Sequence, residues 1–409
     1  MNTVCETTEK RVESPESKPG AKPKKRYFYL DFIRALSVLI IVLTHFNNPY
    51  LSTGGYLITN QPFGVYVGSL GVSLFLIISG TALSFTYKRP LDFKKYFKKR
   101  FLGIYPMFWM AWAVGTLSLF VIHNGVPLNA APARTFVFTF FAVDGLVANF
   151  GVQTMYLLGE WFLGFIVLFY IVFPLLLWAV QRFPVVTAIV GLAIYVGTWY
   201  FLHSTPHSFP NGVILPLRLP ELLFGIYFGS FFREGKVHPL LVFPAAAVLG
   251  LSTAFPNFDE DIALTWVGIA AFIILAVVAR YVDFNIVKVP INLISKYSYA
   301  IFLVHHVVIM ELYFHLDWKD FVPLQRWMML AVVCVLTYVL AVGLYHSHGV
   351  VMRYVFKALE RPQREAANPA GIGSNPNALG RPETGNPGAL EGEAVAQLTG
   401  NNEPVKKTE

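Results

Sequence analysis

Apolar runs of about twenty residues recur through most of this chain, and that is the length an α-helix needs to cross roughly 30 Å of hydrocarbon. A backbone in lipid must satisfy its own N–H and C=O groups, so such runs fold as helices packed side by side. They fall near residues 27–46, 63–87, 101–122, 161–180, 185–202, 213–231, 240–256, 262–280, 297–313 and 327–346. Only 14% of the 409 residues are charged. An ordinary soluble chain carries roughly 25%, so a reading as two or three soluble domains is excluded. The expected architecture is all-α: a polytopic integral membrane bundle of about ten transmembrane helices.

The net charge of +8 would suit a nucleic-acid partner, but its distribution does not. Lys and Arg stand in short clusters beside apolar runs, as cytoplasmic anchors do, so the expected partner is the lipid bilayer of the cell membrane and not nucleic acid. The stretch 88–100 holds Lys88, Arg89, Lys94, Lys95, Lys98, Lys99 and Arg100. The apolar segment 136–150 is short and contains Asp144. If it does not cross, Arg182, Arg233, Lys236, Arg280, Lys288 and Lys296 join the 88–100 cluster on one side; if it crosses, all six move to the other side. The positive-inside bias therefore favours both termini in the cytoplasm and a non-crossing hairpin at 136–150. Residues 1–26 read as a disordered basic cytoplasmic tail, 27–346 as the transmembrane domain, and 347–409 as a cytoplasmic end that is mostly disordered tail. No cleavable signal peptide is visible, and Cys5 and Cys334 make no disulfide framework.

Ionisable residues inside these runs are the candidates for chemistry, because they are costly in a membrane. Arg34 and His45 lie eleven residues apart in the first run, close to three helical turns, so they share a face about 16 Å apart along the axis. Arg34 falls toward the cytoplasm and His45 toward the outer surface. The structural alternatives are an ion pair of Arg34 with Asp31 and an interfacial, water-facing His45. Ser79 and Gly80 in the second run admit either a thin ligand or a closely packed helix. Arg100, with Lys99 and the other lysines, either attracts cofactor phosphates or serves as a lipid anchor. Glu160 and Trp161 open the fourth run at the outer edge. Arg218 and Glu221, one turn apart, are placed to pair. His305 is expected near mid-membrane, where it either bonds a neighbouring helix or lines a polar tunnel. No metal-ligand spacing, Gly-rich phosphate loop or nucleophile elbow is present, so no metal is expected.

Taken in order, these pieces resemble the acyltransferase type 3 family of multi-pass membrane acyltransferases over about 27–346. Arg34, ten intervening residues and His45 carry the most specific part. FLIISG (Phe75–Gly80), KKRFLGIYP, EWFLGFIVLFYIVFPLL and YSYAIFLVHH resemble further patterns of that family. Gly103 departs from it, standing where the family often has a second arginine, which leaves Lys99 or a neighbouring lysine to replace it. The resemblance implies transfer of an acyl group, acetyl foremost, to a hydroxyl of a surface or lipid-linked carbohydrate. Together with the geometry it suggests acyl-CoA, here acetyl-CoA, approaching from the cytoplasm. Arg34, Ser79, Lys99 and Arg100 would receive it, and His45 would act as general base or acyl carrier, with Arg34 as its catalytic partner. Glu160, Trp161, Arg218, Glu221 and His305 are acceptor-side or orienting candidates, with Asp144 a further one for orienting His45. Polysaccharide biosynthesis machinery is the expected partner. Two other classes remain open: a transporter of a small acylated or anionic solute, and a structural subunit of a polysaccharide exporter. Dependence on acyl-CoA separates the enzyme from both.

Overall fold

Each of the ten expected runs contains an α-helix, and eight of them are long and apolar without a break strong enough to stop the helix. The computed structural model describes residues 26–48, 56–87, 90–158, 160–232, 237–316 and 321–367, without the side chains of 160 and 360–367. No strand occurs among them. The helices are α1 (Phe28–Phe46), α2 (Val67–Thr86), α3 (Phe93–Ile122), the short α4 (Phe136–Phe140) and α5 (Asp144–Ala148), and α6 (Glu160–Arg182). They continue as α7 (Pro184–Ser204), α8 (Leu219–Phe231), α9 (Val242–Ala254), α10 (Glu260–Tyr281), α11 (Asn285–His315) and α12 (Pro323–Ala367). Eight are long and apolar enough to cross a membrane: α1, α2, α3, α6, α7, α10, α11 and α12. This is a polytopic helical membrane protein.

The two remaining expected spans are shorter than the sequence suggested. Pro216 and Pro220 hold residues 215–218 in a 3-10 turn, so α8 begins only at Leu219 and has 13 residues. The 240–256 run is likewise a 3-10 turn, Pro239–Leu241, followed by the 13-residue α9. The 136–150 segment forms two five-residue helices, each about 7.5 Å long, and so does not span. Three helices clearly outrun their expected limits, and the first of them, α3, starts at Phe93 rather than near 101. α11 starts at Asn285 rather than near 297 and carries Pro290 in its second turn. α12 runs past 346 to Ala367, since Val350, Val351, Val355 and Leu359 keep it apolar well beyond that point. Residues 1–25 and 368–409, where tails are expected, lie outside the described residues.

Burial sorts the helices. Most of α1 (67%) and α2 (78%) is enclosed, whereas only 17% of α7 and of α12 is, so the first two form the centre and the last two face lipid. α2 meets α8 at a very close crossing. A Cβ on Gly80 would lie 2.9 Å from the Leu222 carbonyl, and one on Gly225 would run into the Ile77 carbonyl. Thr81 adds a bond from its hydroxyl to the Gly225 carbonyl, 3.2 Å. Gly80 is therefore used for helix packing, as small residues in membrane helices often are, and leaves no gap for a ligand on that side.

Interhelical bonds divide the helix ends into two groups. At one end Tyr313 bonds the Phe46 carbonyl (3.0 Å), His123 meets Glu311 (3.1 Å), and the Tyr66 amide bonds Glu260 (3.0 Å). At the other end Ser295 meets Asp31 (2.6 Å) and Tyr96 bonds the Tyr170 carbonyl (2.9 Å). Lys94 to Arg100, which begin α3, belong to the second end.

Candidate active site

The first group of ends holds a small cavity of about 80 Å³. Its wall is built by α1 (Ile41, Thr44, His45), the start of α2 (Gly68, Ser69, Val72, Phe75), Tyr66 before it, Trp161 and Phe162 on α6, and Phe302 on α11. α1 and α2 contribute residues about one turn apart, so their two faces follow from helical spacing. The wall is mainly aromatic, with a few polar groups. One of these, the Thr44 hydroxyl, is buried and has no hydrogen-bond partner among the described residues. Apolar and aromatic walls with a few convergent polar groups are the usual make-up of a small-molecule site.

His45 does not stand alone. Its ring lies 5.2 Å from that of His305 and 5.2 Å from that of His306. The expectation of His305 at mid-membrane and His45 at the surface is corrected here: the two rings share a level. His305 is fully buried. Its Nδ1 lies 2.8 Å from the Phe302 carbonyl and 3.2 Å from that of Ile301, so Nδ1 carries the proton and donates it there. Nε2 of the neutral ring is then an acceptor. His306 was not singled out in the sequence, although it adjoins His305 in the same pattern. Trp161 lines the cavity as one of its aromatic walls; Glu160 opens α6, and its side chain lies outside what is described.

Arg34 lies at the opposite end of α1, in a polar cluster. Its Nη1 reaches Asp31 Oδ1 and Ser295 Oγ, both at 3.4 Å, while Ser295 donates to Asp31 at 2.6 Å and Arg26 pairs with the other Asp31 oxygen at 2.6 Å. The Asp31 pairing anticipated as a structural role is present. Arg26 and Ser295 were not legible as its other partners. Arg100 lies over the rings of Tyr87 (5.8 Å) and Tyr170 (5.5 Å), where a guanidinium gains cation–π attraction. Lys94, Lys95 and Lys98 are exposed beside it, and Lys99 and Ser79 are half-buried.

Arg218 and Glu221 pair at 3.3 Å in full burial. Ser73 bridges them, accepting from Arg218 at 3.1 Å and donating to Glu221 at 3.2 Å. Arg218 also bonds the carbonyl of Ser69, a cavity residue, at 3.3 Å. The pair thus braces the cavity wall from behind and is not part of its surface. Asp144 is buried and bonded locally, to the Thr139 hydroxyl (3.1 Å) and the Gly145 amide (3.0 Å). Burial raises its pKa to about 6.

A bundle of helices long and apolar enough to cross a membrane, with a histidine cluster at one end and basic residues at the other, defines a multi-pass membrane protein. The model of the acyltransferase domain, Acyl_transf_3, matches residues 27–346, and the chain belongs to the acyltransferase type 3 family. It is a membrane acyltransferase. No curated protein and no solved structure matches the chain.

Proposed function

We propose that this acyltransferase moves an acetyl group from acetyl-CoA to a hydroxyl of a surface or lipid-linked carbohydrate across the cell membrane. The observation that carries the reading is the cavity that brings His45, Trp161 and the unpartnered Thr44 hydroxyl together beside His305 and His306. Aromatic faces with a few polar edges suit a sugar ring, which has apolar C–H faces and hydroxyl rims. His45 removes the proton of the acceptor hydroxyl as its oxygen attacks the thioester carbonyl, or first takes the acyl group itself. The thiolate of CoA leaves and takes a proton. His305 is a positioning residue, its buried ring 5.2 Å from that of His45 limiting the directions the His45 ring can take.

Acyl-CoA enters at the basic end. Arg100 and Lys99 meet its phosphates by charge-assisted hydrogen bonds, and Arg34 offers the guanidinium donors beyond the Nη1 that contacts Asp31. Ser79 lies on the way between the two ends. Polysaccharide biosynthesis machinery would supply the acceptor. Arg100→Ala is expected to raise the apparent Michaelis constant for acyl-CoA more than it lowers turnover, because a mouth contact is largely uniform binding. Initial-rate kinetics over a range of acyl-CoA concentrations check this. The reading as a whole is tested by mass spectrometry of surface glycans with and without the gene. Loss of acetyl esters on deletion is the expected result, and an unchanged glycan profile would overturn the carbohydrate acceptor.

A further inference from the structure

We propose that His203, Asp259 and Asp261 form a binding site for a divalent transition-metal ion of the zinc type. The site lies at the same end of the bundle as His45. It is made by the last turn of α7, which carries His203, and by the residues that begin α10. One ligand atom from each of the three side chains lies within 4.8 Å of the other two.

The outer contacts of these side chains are what distinguish the cluster from a chance meeting of surface charges. His203 Nδ1 lies 2.9 Å from the Trp199 carbonyl and so carries its proton there. In the neutral ring this leaves only the Nε2 lone pair facing Asp259 Oδ2, at 2.9 Å. Two lone pairs at that distance need a proton or a cation between them. The other oxygen of Asp259 accepts from the Trp199 indole (3.0 Å) and from the Ile262 amide (3.0 Å). Asp261 is held by the Asn211 amide, which donates to its Oδ2 at 2.7 Å. All three side chains are thus oriented from behind, which is how protein metal ligands are usually held. Ligands of tetrahedral zinc, bonded at about 2.0–2.2 Å, stand roughly 3.3 Å apart, so the 2.9 Å His203–Asp259 gap widens slightly and Asp261, within 4.8 Å of both, adjusts to the same spacing as the ion enters. An imidazole among the ligands favours zinc, cobalt or nickel over magnesium and calcium.

The ion would tie α7 to α10. Glu260, between the two aspartates, accepts from the Tyr66 amide at 3.0 Å, and Tyr66 lines the His45 cavity, so the clamp would also steady one rim of that cavity. Sequence spacing did not show the site because residues 203 and 259 are far apart along the chain.

The test is isothermal titration calorimetry of zinc chloride into the full-length protein in detergent, purified without a histidine tag and freed of metal. Magnesium chloride serves as the comparison, and thermal unfolding is followed with and without zinc. The expected result is saturable binding of one zinc per chain, a raised unfolding temperature and no response to magnesium. His203→Ala and Asp261→Ala should lose the binding, and Asn211→Ala should weaken it about 10–100-fold. Size-exclusion chromatography shows whether the variants fold; these positions lie at partly exposed helix ends, where truncation is tolerated. Absence of saturable zinc binding in the wild-type protein means that a proton fills the gap and overturns the proposal. Equal zinc affinity in wild-type, His203→Ala and Asp261→Ala protein places the ion elsewhere and overturns it too.

Discussion

His45→Ala is expected to lower acyl transfer by about 10²–10⁴-fold if His45 is a general base, and by more if it carries the acyl group. The protein should still insert and fold, because replacing an ionisable residue by Ala does not oppose partition into the membrane. It should also still bind acyl-CoA, since the basic residues assigned to the donor lie at the other end of α1 and on α3. The measurement is the rate of acceptor acylation by purified variant and wild type, with acyl-CoA affinity determined in parallel. A wild-type rate in the variant would remove His45 from the chemistry and leave His305 and His306 as the candidates. A loss of acyl-CoA binding would instead place the donor site at the histidine cluster.

The second large effect concerns stability. Glu221 is fully buried, and its Arg218 partner nearly so. Glu221→Ala would leave a guanidinium enclosed without its counter-charge, a change that typically costs about 3–5 kcal/mol. The Ser73 bridge is cut by the same substitution, and α10 offers no room to compensate: a Cβ on Gly268 would lie only 2.8 Å from that of Ser73. Replacing both charges, Arg218→Met with Glu221→Leu, removes the uncompensated charge and is expected to restore most of the lost stability. Thermal unfolding in detergent measures both. A double variant as unstable as Glu221→Ala would mean that the ionic pair itself, and not the absence of a lone buried charge, holds α8 against α2.

The helices were legible because a spanning segment is nearly context-free: its length and apolarity are set by the bilayer and not by its neighbours. The limits that failed are those where local backbone chemistry competes. Pro216 and Pro220 shorten α8, while the apolar residues from Val350 to Leu359 lengthen α12 beyond any signal that the membrane imposes. Within the site, local pairs could be read and distant ones could not. Arg34 with Asp31 and Arg218 with Glu221 are three residues apart, so helical geometry alone predicts them. Ser295 beside Asp31, and His305 and His306 beside His45, depend on how α11 lies against α1. Helical spacing left Gly80 open to either packing or a ligand, and only the proximity of the α8 backbone decides for packing.

The proposed transfer runs from a donor at the basic end to an acceptor at the histidine end. The most direct test uses purified protein in liposomes of one orientation, with labelled acetyl-CoA supplied only to the face that carries Lys94 to Arg100. Surface glycan prepared from cells lacking the gene is enclosed on the other face. The expected result is release of CoA that depends on the glycan, with labelled acetyl ester on the enclosed glycan. Transfer only when donor and glycan share one face, or no glycan-dependent release of CoA, would contradict it.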